Sequence, residues 1–261
     1  MAERFDSARE VLPEFGRMLH LPHKPNCDRD DLVATEDEAS IIFRTGAWMG
    51  ISKRTLERLQ PSVLVEEKLD GSQVGVASAG DGEVPIIRNK NHILVKGYGR
   101  KNTNAKRQYA PLWNWVYEHA NEFAALTALC GELVGVYGEW LYAEHTLRYD
   151  LAPADFVAYQ IYQPSLGAFV DAYRTRELLG AAGFAQPDLL ATRVDSYAQL
   201  EALTQEPSRW SSRDLREGIV VKVSDGERLV VQFKMRRGDF KPREDFNDSA
   251  MIRRGHGRHR G

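Results

Sequence analysis

Glu67-Lys68-Leu69-Asp70-Gly71 lies within a run from Val63 to Val76 in which apolar and polar residues alternate on either side of a turn. Alternation with a period of two, interrupted by Asp-Gly, predicts strand, turn and strand. It puts Lys68 at the edge of an element as a largely solvent-facing amine, followed by a carboxylate and a turn-forming glycine. A neutral lysine amine can attack phosphorus, but with the ordinary lysine pKa of about 10.4 only roughly one in a thousand is neutral at pH 7. Neighbouring cations or a metal ion would raise that fraction. A lone copy of so short a pattern is more often a surface turn than a site, so the rest of the chain has to decide.

Outward from this run the pattern is α+β with antiparallel sheets flanked by helices. Pro111 to Leu129 places Leu112, Val116, Ala120 and Phe123 at helical spacing, widened by Trp113 and Tyr117 as further core residues, with Gly131 as the stop. Leu133 to Tyr142 and Phe156 to Tyr162 read as buried strands, and short helices are expected near Thr175 to Ala182 and Ser196 to Leu203. Ile219 to Val223 and Arg228 to Met235 bracket Ser224-Asp225-Gly226 as a hairpin. Parity then matters. A two-residue Asp225-Gly226 turn would send Lys222 and Lys234 to opposite faces, whereas a three-residue loop with Gly226 at positive φ pairs Val223 with Glu227 and puts both lysines on one face. The three-residue loop is the expectation.

The 261 residues are 43% hydrophobic and 28% charged, an ordinary globular mixture that excludes a disordered chain. They read as one domain over 1–252 and a basic tail over 253–261. Cys27 and Cys130 lack CxxC spacing, which argues against a zinc site or disulfide framework. No window approaches a membrane span and no leader is visible, so a cytoplasmic location without membrane contact is the default. The formal charge of -2 hides two basic stretches. Between Ile86 and Arg107 stand Arg88, Lys90, Lys96, Arg100, Lys101, Lys106 and Arg107 with no acid among them. Lys234 onward is similarly rich in cations. Either could follow a phosphate backbone, and Arg100, Lys101, Lys106 and Arg107 are the candidate nucleic-acid contacts.

The lysine motif has companions in a definite order: Arg88-Asn89-Lys90, Tyr137-Gly138-Glu139-Trp140, Phe156-Val157-Ala158-Tyr159, Glu217-Gly218-Ile219-Val220-Val221-Lys222 and Phe233-Lys234-Met235-Arg236. Over residues 64 to 236 this set resembles the covalent nucleotidyltransferase superfamily of DNA ligases, RNA ligases and capping enzymes, and most closely the phage-type RNA ligases that seal nicks. The resemblance implies a nucleotidyltransferase fold (ATP-grasp-like) in which Lys68 takes AMP from ATP, the adenylate passes to a 5′-phosphate, and a 3′-hydroxyl displaces AMP. Such chemistry rests on positioning and charge. Lys222 and Lys234 then match the α-phosphate cations, with Arg236 where lysine is usual, and Arg88 matches a contact to ribose or to a strand phosphate. Glu139 and Glu217 match the ribose and metal-linked acids, Glu217 and Asp70 are the candidate ligands of Mg²⁺ or Mn²⁺, Tyr159 matches the purine-stacking aromatic, and Glu67 the adenine contact.

Gln73 stands where DNA ligases of the superfamily carry arginine, which favours RNA over DNA as the nucleic-acid partner. Gln160 departs from the acid common after the stacking aromatic. Only 25 residues follow Arg236, leaving no room for a C-terminal OB-fold and disfavouring capping. A small DNA ligase, or a nucleic-acid-binding adenylyltransferase subunit that needs a partner to seal ends, are the other readings, and an end-healing kinase or phosphatase is a natural partner. His145 could be a substrate contact or a core histidine, and His23, Cys27 and Trp48 match no motif.

Overall fold

The computed structural model describes residues 10–16, 18–21, 32–39, 42, 62–80, 82–94 and 103–242, without the side chains of residues 37 and 103–107. Two antiparallel-dominated sheets face each other. The first contains β1 (Leu19–His20), β2 (Ser62–Lys68), β9 (Leu189–Ala191), β10 (Gly218–Ser224) and β11 (Leu229–Arg236), in the order β1-β11-β10-β2-β9. The second contains β3 (Ser72–Ala77), β4 (Ile86–Asn89), β5 (Ile93–Leu94), β6 (Gly135–Trp140), β7 (Phe156–Gln163) and β8 (Ala168–Phe169), in the order β5-β4-β3-β6-β7-β8. The strands on either side of Lys68-Leu69-Asp70-Gly71 therefore do not pair with each other. The turn carries the chain from one sheet to the other.

Each sheet has an apolar outer face. Val74, Val76, Val136, Trp140, Phe156 and Ile161 pack under α2 (Thr103–Glu118), α3 (Ala120–Cys130) and α4 (Ala172–Ala181). Val63, Val65, Ile219, Val221, Phe233 and Met235 pack against Ala39 of α1 (Glu36–Ala39) and Leu200 of α5 (Tyr197–Thr204). Because side chains alternate along a strand, burying these faces turns the intervening residues toward the space between the sheets. The site occupies that space.

The expected helix after Pro111 is two helices broken at His119. Pro111 sits inside α2, where its missing N–H removes one internal hydrogen bond but does not end the helix. His119 stacks on Trp115 with ring centroids 3.9 Å apart at the break. Gly131 ends α3 as expected, at φ 73° with its N–H bonded to the Thr127 carbonyl. Trp113 is buried, but Tyr117, assigned to the core from spacing, is 38% exposed. The later helices start on caps: Asp171 accepts from the Tyr173 and Arg174 amides, and Ser196 from Gln199. Among the described residues no helix is long and apolar enough to cross a membrane.

The β10–β11 hairpin corrects one expectation and keeps its consequence. Asp225 N–H bonds the Arg228 carbonyl, so Gly226 and Glu227 form a two-residue turn, with Gly226 at φ 94°. A bulge between Val223 and Ser224 then shifts the register, so that Lys222 opposes Gln232 and Val220 opposes Lys234. Lys222 was expected opposite Arg228, so the register moves by four residues in all, an even number, and both lysines occupy the inner face.

Candidate active site

A cleft of about 750 Å³ lies between the sheets, within the range of small-molecule sites. Glu66, Lys68, Val220, Lys222, Gln232 and Lys234 form its wall on the first sheet, and Ser72, Gln73, Asn89, Glu139 and Tyr159 its wall on the second. The strand ladders account for this lining: Val220 opposes both Glu66 and Lys234, and Gly218 opposes Lys68. Gln73 opposes Glu139 on the facing sheet.

Lys68 ends β2 with its side chain 19% exposed and its Nζ 2.6 Å from Glu217 Oε2. It is not the solvent-facing amine expected from the turn. Burial alone would push its pKa down, but Glu217, Glu139 and Asp70 reverse the effect and leave it raised. The amine is thus an ammonium held by carboxylates, where nearby cations had been expected to keep it neutral. Burial pushes Glu139 up to about 8 despite the attraction of Lys68, and its Oε1 accepts the Gly71 N–H at 3.2 Å. Glu217 is also raised, chiefly by burial.

Asp70 is engaged in holding a loop. Its Oδ2 accepts the Thr146 and Leu147 amides at 2.7 and 3.0 Å, and its own N–H donates to the Tyr149 hydroxyl at 2.8 Å. The adjacent His145 meets Ser72 Oγ at 3.2 Å, and burial is the main cause of its lowered pKa. Ser72 also receives the Gln108 amide.

At the other end of the cleft, Lys222 is 2% exposed and its Nζ lies 2.6 Å from Glu66 Oε2. It also donates to the Tyr159 carbonyl and sits 5.6 Å from the centre of that ring. Burial is the largest cause of its lowered pKa, and Glu66 only partly offsets it. The second oxygen of Glu66 is 2.6 Å from the guanidinium of Arg176. Tyr159 receives Gln73 Nε2 on its hydroxyl at 3.1 Å and has Phe15 against its ring edge at 5.7 Å. Tyr159 is the extra residue in β7 at the β6–β7 register shift, between Ala158 opposite Gly138 and Gln160 opposite Tyr137.

The expected residues are therefore only partly brought together. Lys68, Glu139, Tyr159, Lys222 and Lys234 line the cleft, and Glu217 stands behind Lys68. Arg236 opposes Gly218 on the inner face and lowers the Glu217 pKa, without reaching the cleft wall. Arg88 does not line the cleft. It is buried, donates to the Leu12 carbonyl at 2.7 Å, and with Tyr137, which donates to the Pro13 carbonyl, ties down the segment that carries Phe15.

Glu67, the expected adenine contact, borders the cleft, but its side chain starts from the opposite face of β2. It opposes Ile219 of the apolar face, and its carboxylate shares the surroundings of Ser208, Arg216 and Asp188. Burial pushes it up to about 7, partly offset by Ser208 and Arg216. The carboxylate on the Lys68 face is Glu66, missed in the sequence although parity with Lys68 was enough to find it. Gln160 is likewise turned into the fold, donating to the Val170 carbonyl at 2.6 Å. Arg100 and Lys101 lie outside the described residues, as do the side chains of Lys106 and Arg107.

Among solved structures the chain is similar to a Naegleria gruberi RNA ligase. A variant of that ligase with ATP and Mn gives a TM-score of 0.48 at 18% identity, covering 69% of this chain and 52% of the ligase. The same ligase with pyrophosphate gives 0.46 at 16%, covering 71% and 53%, and a variant with AMP and Mn gives 0.48 at 21%, covering 69% and 51%. The chain thus spans about half the length of these ligases. No curated protein sequence matches it. The family model described as RNA ligase matches residues 61–237, which begin just before β2 and end just after β11 and so enclose both walls of the cleft. The chain belongs to the RNA ligase family.

Proposed function

We propose that the chain is an ATP-dependent RNA ligase that carries AMP on Lys68 and joins a 5′-phosphate end to a 3′-hydroxyl in RNA repair. The observation that carries this reading is a lysine amine and two further lysines, 222 and 234, converging on one nucleotide-sized cleft. In the first step Lys68 Nζ bonds to the α-phosphorus, the bond from that phosphorus to the oxygen bridging to the β-phosphate breaks, and pyrophosphate departs. The Lys68 ammonium first gives one proton to Glu217, already 2.6 Å away, which frees the amine to attack, and the proton shed by the new phosphoramide nitrogen leaves with pyrophosphate. The 5′-phosphate oxygen then displaces lysine from phosphorus, and the 3′-hydroxyl displaces AMP from the activated end. Lys222 and Lys234 supply positive charge where phosphate oxygens gather it, and Tyr159 offers a ring face to the base.

Among the described residues no group of three His, Cys, Asp or Glu side chains is placed to hold a metal ion. Glu217, and the oxygen of Asp70 that the loop amides leave over, would give a Mg²⁺ or Mn²⁺ ion one or two carboxylates, with phosphates and water as the remaining ligands, a common arrangement for Mg²⁺. Its chemistry would be to draw negative charge away from Lys68 and the phosphates. Arg100, Lys101, Lys106 and Arg107 are the proposed strand contacts. Ends without a 5′-phosphate or 3′-hydroxyl would first need a kinase or phosphatase partner. An ATP-supplied, thiol-reducing compartment such as the cytoplasm suits the reaction.

The test supplies ATP or GTP with nicked duplexes bearing RNA or DNA on the 3′-hydroxyl side. Sealing with ATP at RNA-ended nicks is expected. Efficient sealing only at DNA ends would move the reading to a DNA ligase. Adenylylation without sealing of any duplex would move it to a subunit that needs a partner.

A further inference from the structure

Arg176 belongs to α4, outside every motif of the site, yet its guanidinium reaches Glu66, a residue of the cleft wall. It donates to Glu66 Oε1 at 2.6 Å and to the Pro187 carbonyl at 3.0 Å, while the Gln186 amide donates to the Arg176 carbonyl at 3.1 Å. The fold delivers Glu66 to it by a register shift between Val65 and Glu66 where β2 meets β9. Glu66 and Lys222 are each 2% exposed, and Arg176 is 23% exposed. Two cations therefore share one buried carboxylate, each holding a different oxygen.

That sharing has an electrostatic consequence. A buried lysine paired with one carboxylate of its own is close to neutral as a unit and attracts an anion weakly. A second cation on the same carboxylate leaves the trio with a net charge of +1 beside the cleft. It also fixes the carboxylate plane, because a planar guanidinium held between Glu66 and the Pro187 carbonyl restricts its rotation. Burial is the main cause of the lowered Lys222 pKa, and Arg176 adds to it as a second cation close by.

We propose that Arg176 is a positioning residue for nucleotide binding: by occupying one oxygen of Glu66 it keeps Lys222 in place and leaves that end of the cleft with a net positive charge for the triphosphate. The inference rests on the reading of Lys222 as a phosphate-binding cation. It predicts that the effect of Arg176 depends on Glu66, because with Glu66 neutral the charge of Lys222 stands uncancelled whether or not Arg176 is present.

The experiment measures initial rates of self-adenylylation against ATP concentration in the full chain, for the wild type, Arg176→Met, Arg176→Lys, Glu66→Gln and the Glu66→Gln/Arg176→Met pair. Arg176→Met is expected to raise KM for ATP about tenfold with kcat within about threefold, and Arg176→Lys to recover most of that loss. In the Glu66→Gln background Arg176→Met should change KM less than twofold, because no carboxylate is left to share. An unchanged KM in Arg176→Met, or an equal KM loss with and without Glu66, overturns the proposal. If Arg176→Met does not fold, Arg176→Lys and the double variant decide on the same criteria, with pyrophosphate binding by calorimetry as a readout independent of turnover. A wild type that forms no adenylate at all would instead remove the proposed function. A wild type that adenylylates while Arg176 variants bind nucleotide normally removes only this inference.

Discussion

Lys68 and Lys222 stand on the same face of one sheet, each with its amine 2.6 Å from a glutamate oxygen, and their protonation is driven in opposite directions. Lys68 is held above the ordinary lysine range and Lys222 below it. Burial lowers both, so desolvation does not separate them. The difference is in the company: Glu217, Glu139 and Asp70 surround Lys68, whereas Lys222 has one carboxylate, already shared with Arg176. Counting charges around a pair says more than the pair's length. The cleft is thereby divided into an end that stores a proton on the proposed nucleophile and an end that presents positive charge.

Apart from loss of Lys68 itself, the largest expected effect lies at the positive end. Lys222→Met should slow self-adenylylation about a thousandfold in single-turnover measurements, because it removes a cation from the developing phosphate charge and leaves Glu66 facing the triphosphate. A loss of less than about tenfold would mean that Lys234 alone supplies the needed charge and that the division is not functional.

Glu67 extends the contrast to the opposite face of β2. Its folded pKa of about 7 lies above the unfolded value near 4.5, so between these pH values the folded chain keeps a proton that the unfolded chain has released. Stability contributed by that proton is complete below pH 4.5 and falls as pH rises to 7, by up to roughly 3 kcal/mol. Glu67→Gln has no such proton to lose. Its unfolding free energy should therefore fall less than that of the wild type between about pH 5 and 7.5. Equal pH dependence of denaturant unfolding in the two chains would place the Glu67 carboxylate in contact with water or a cation.

Charge reversal at Arg100, Lys101, Lys106 and Arg107 should weaken binding to a nicked RNA duplex about tenfold in roughly 0.1 M salt and flatten its salt dependence, with self-adenylylation unchanged. Equal loss of both would show that this stretch serves the nucleotide, so that the positive end of the cleft extends beyond Lys222 and Lys234.

Much of the architecture was legible because local rules act locally. Alternation gave β2, β3, β10 and β11, Gly131 gave the end of α3, and the ordered motifs pointed to Lys68, Lys222, Lys234, Glu139 and Tyr159, all of which line one cleft. What stayed hidden was non-local. The break at His119 depends on a ring stacked one turn away, and nothing in the spacing of Lys68 announces that Glu217, 149 residues distant, will share its proton. Arg176 reaches Glu66 across 110 residues from a helix with no motif. Period two also assigned the Glu67 side chain to the face opposite Lys68 from the outset, where it opposes Ile219. The hairpin marks a limit of parity: the turn is one residue shorter than expected, and the bulge restores the predicted face.

The smallest effect follows from that hairpin. Gly226→Val should cost about 1 kcal/mol in stability, because φ 94° is unfavourable to a β-branched residue even though nothing lies within 4 Å of the added Cβ. Adenylylation should be unaffected, since the bulge and not the turn residue fixes which way the lysines face. A large loss of adenylylation in a folded Gly226→Val chain would show that the turn sets the register after all.

That Lys68 is a half-buried nucleophile which accepts AMP can be checked by incubating the chain with α-labelled ATP and Mg²⁺, quenching with a metal chelator, and weighing the intact protein and its peptides. One AMP per chain is expected, joined through an acid-labile and base-stable bond to the peptide containing Lys68, and none in Lys68→Ala that retains its thermal unfolding transition. AMP retained by that variant, or found on another residue of the wild type, would contradict this role for Lys68.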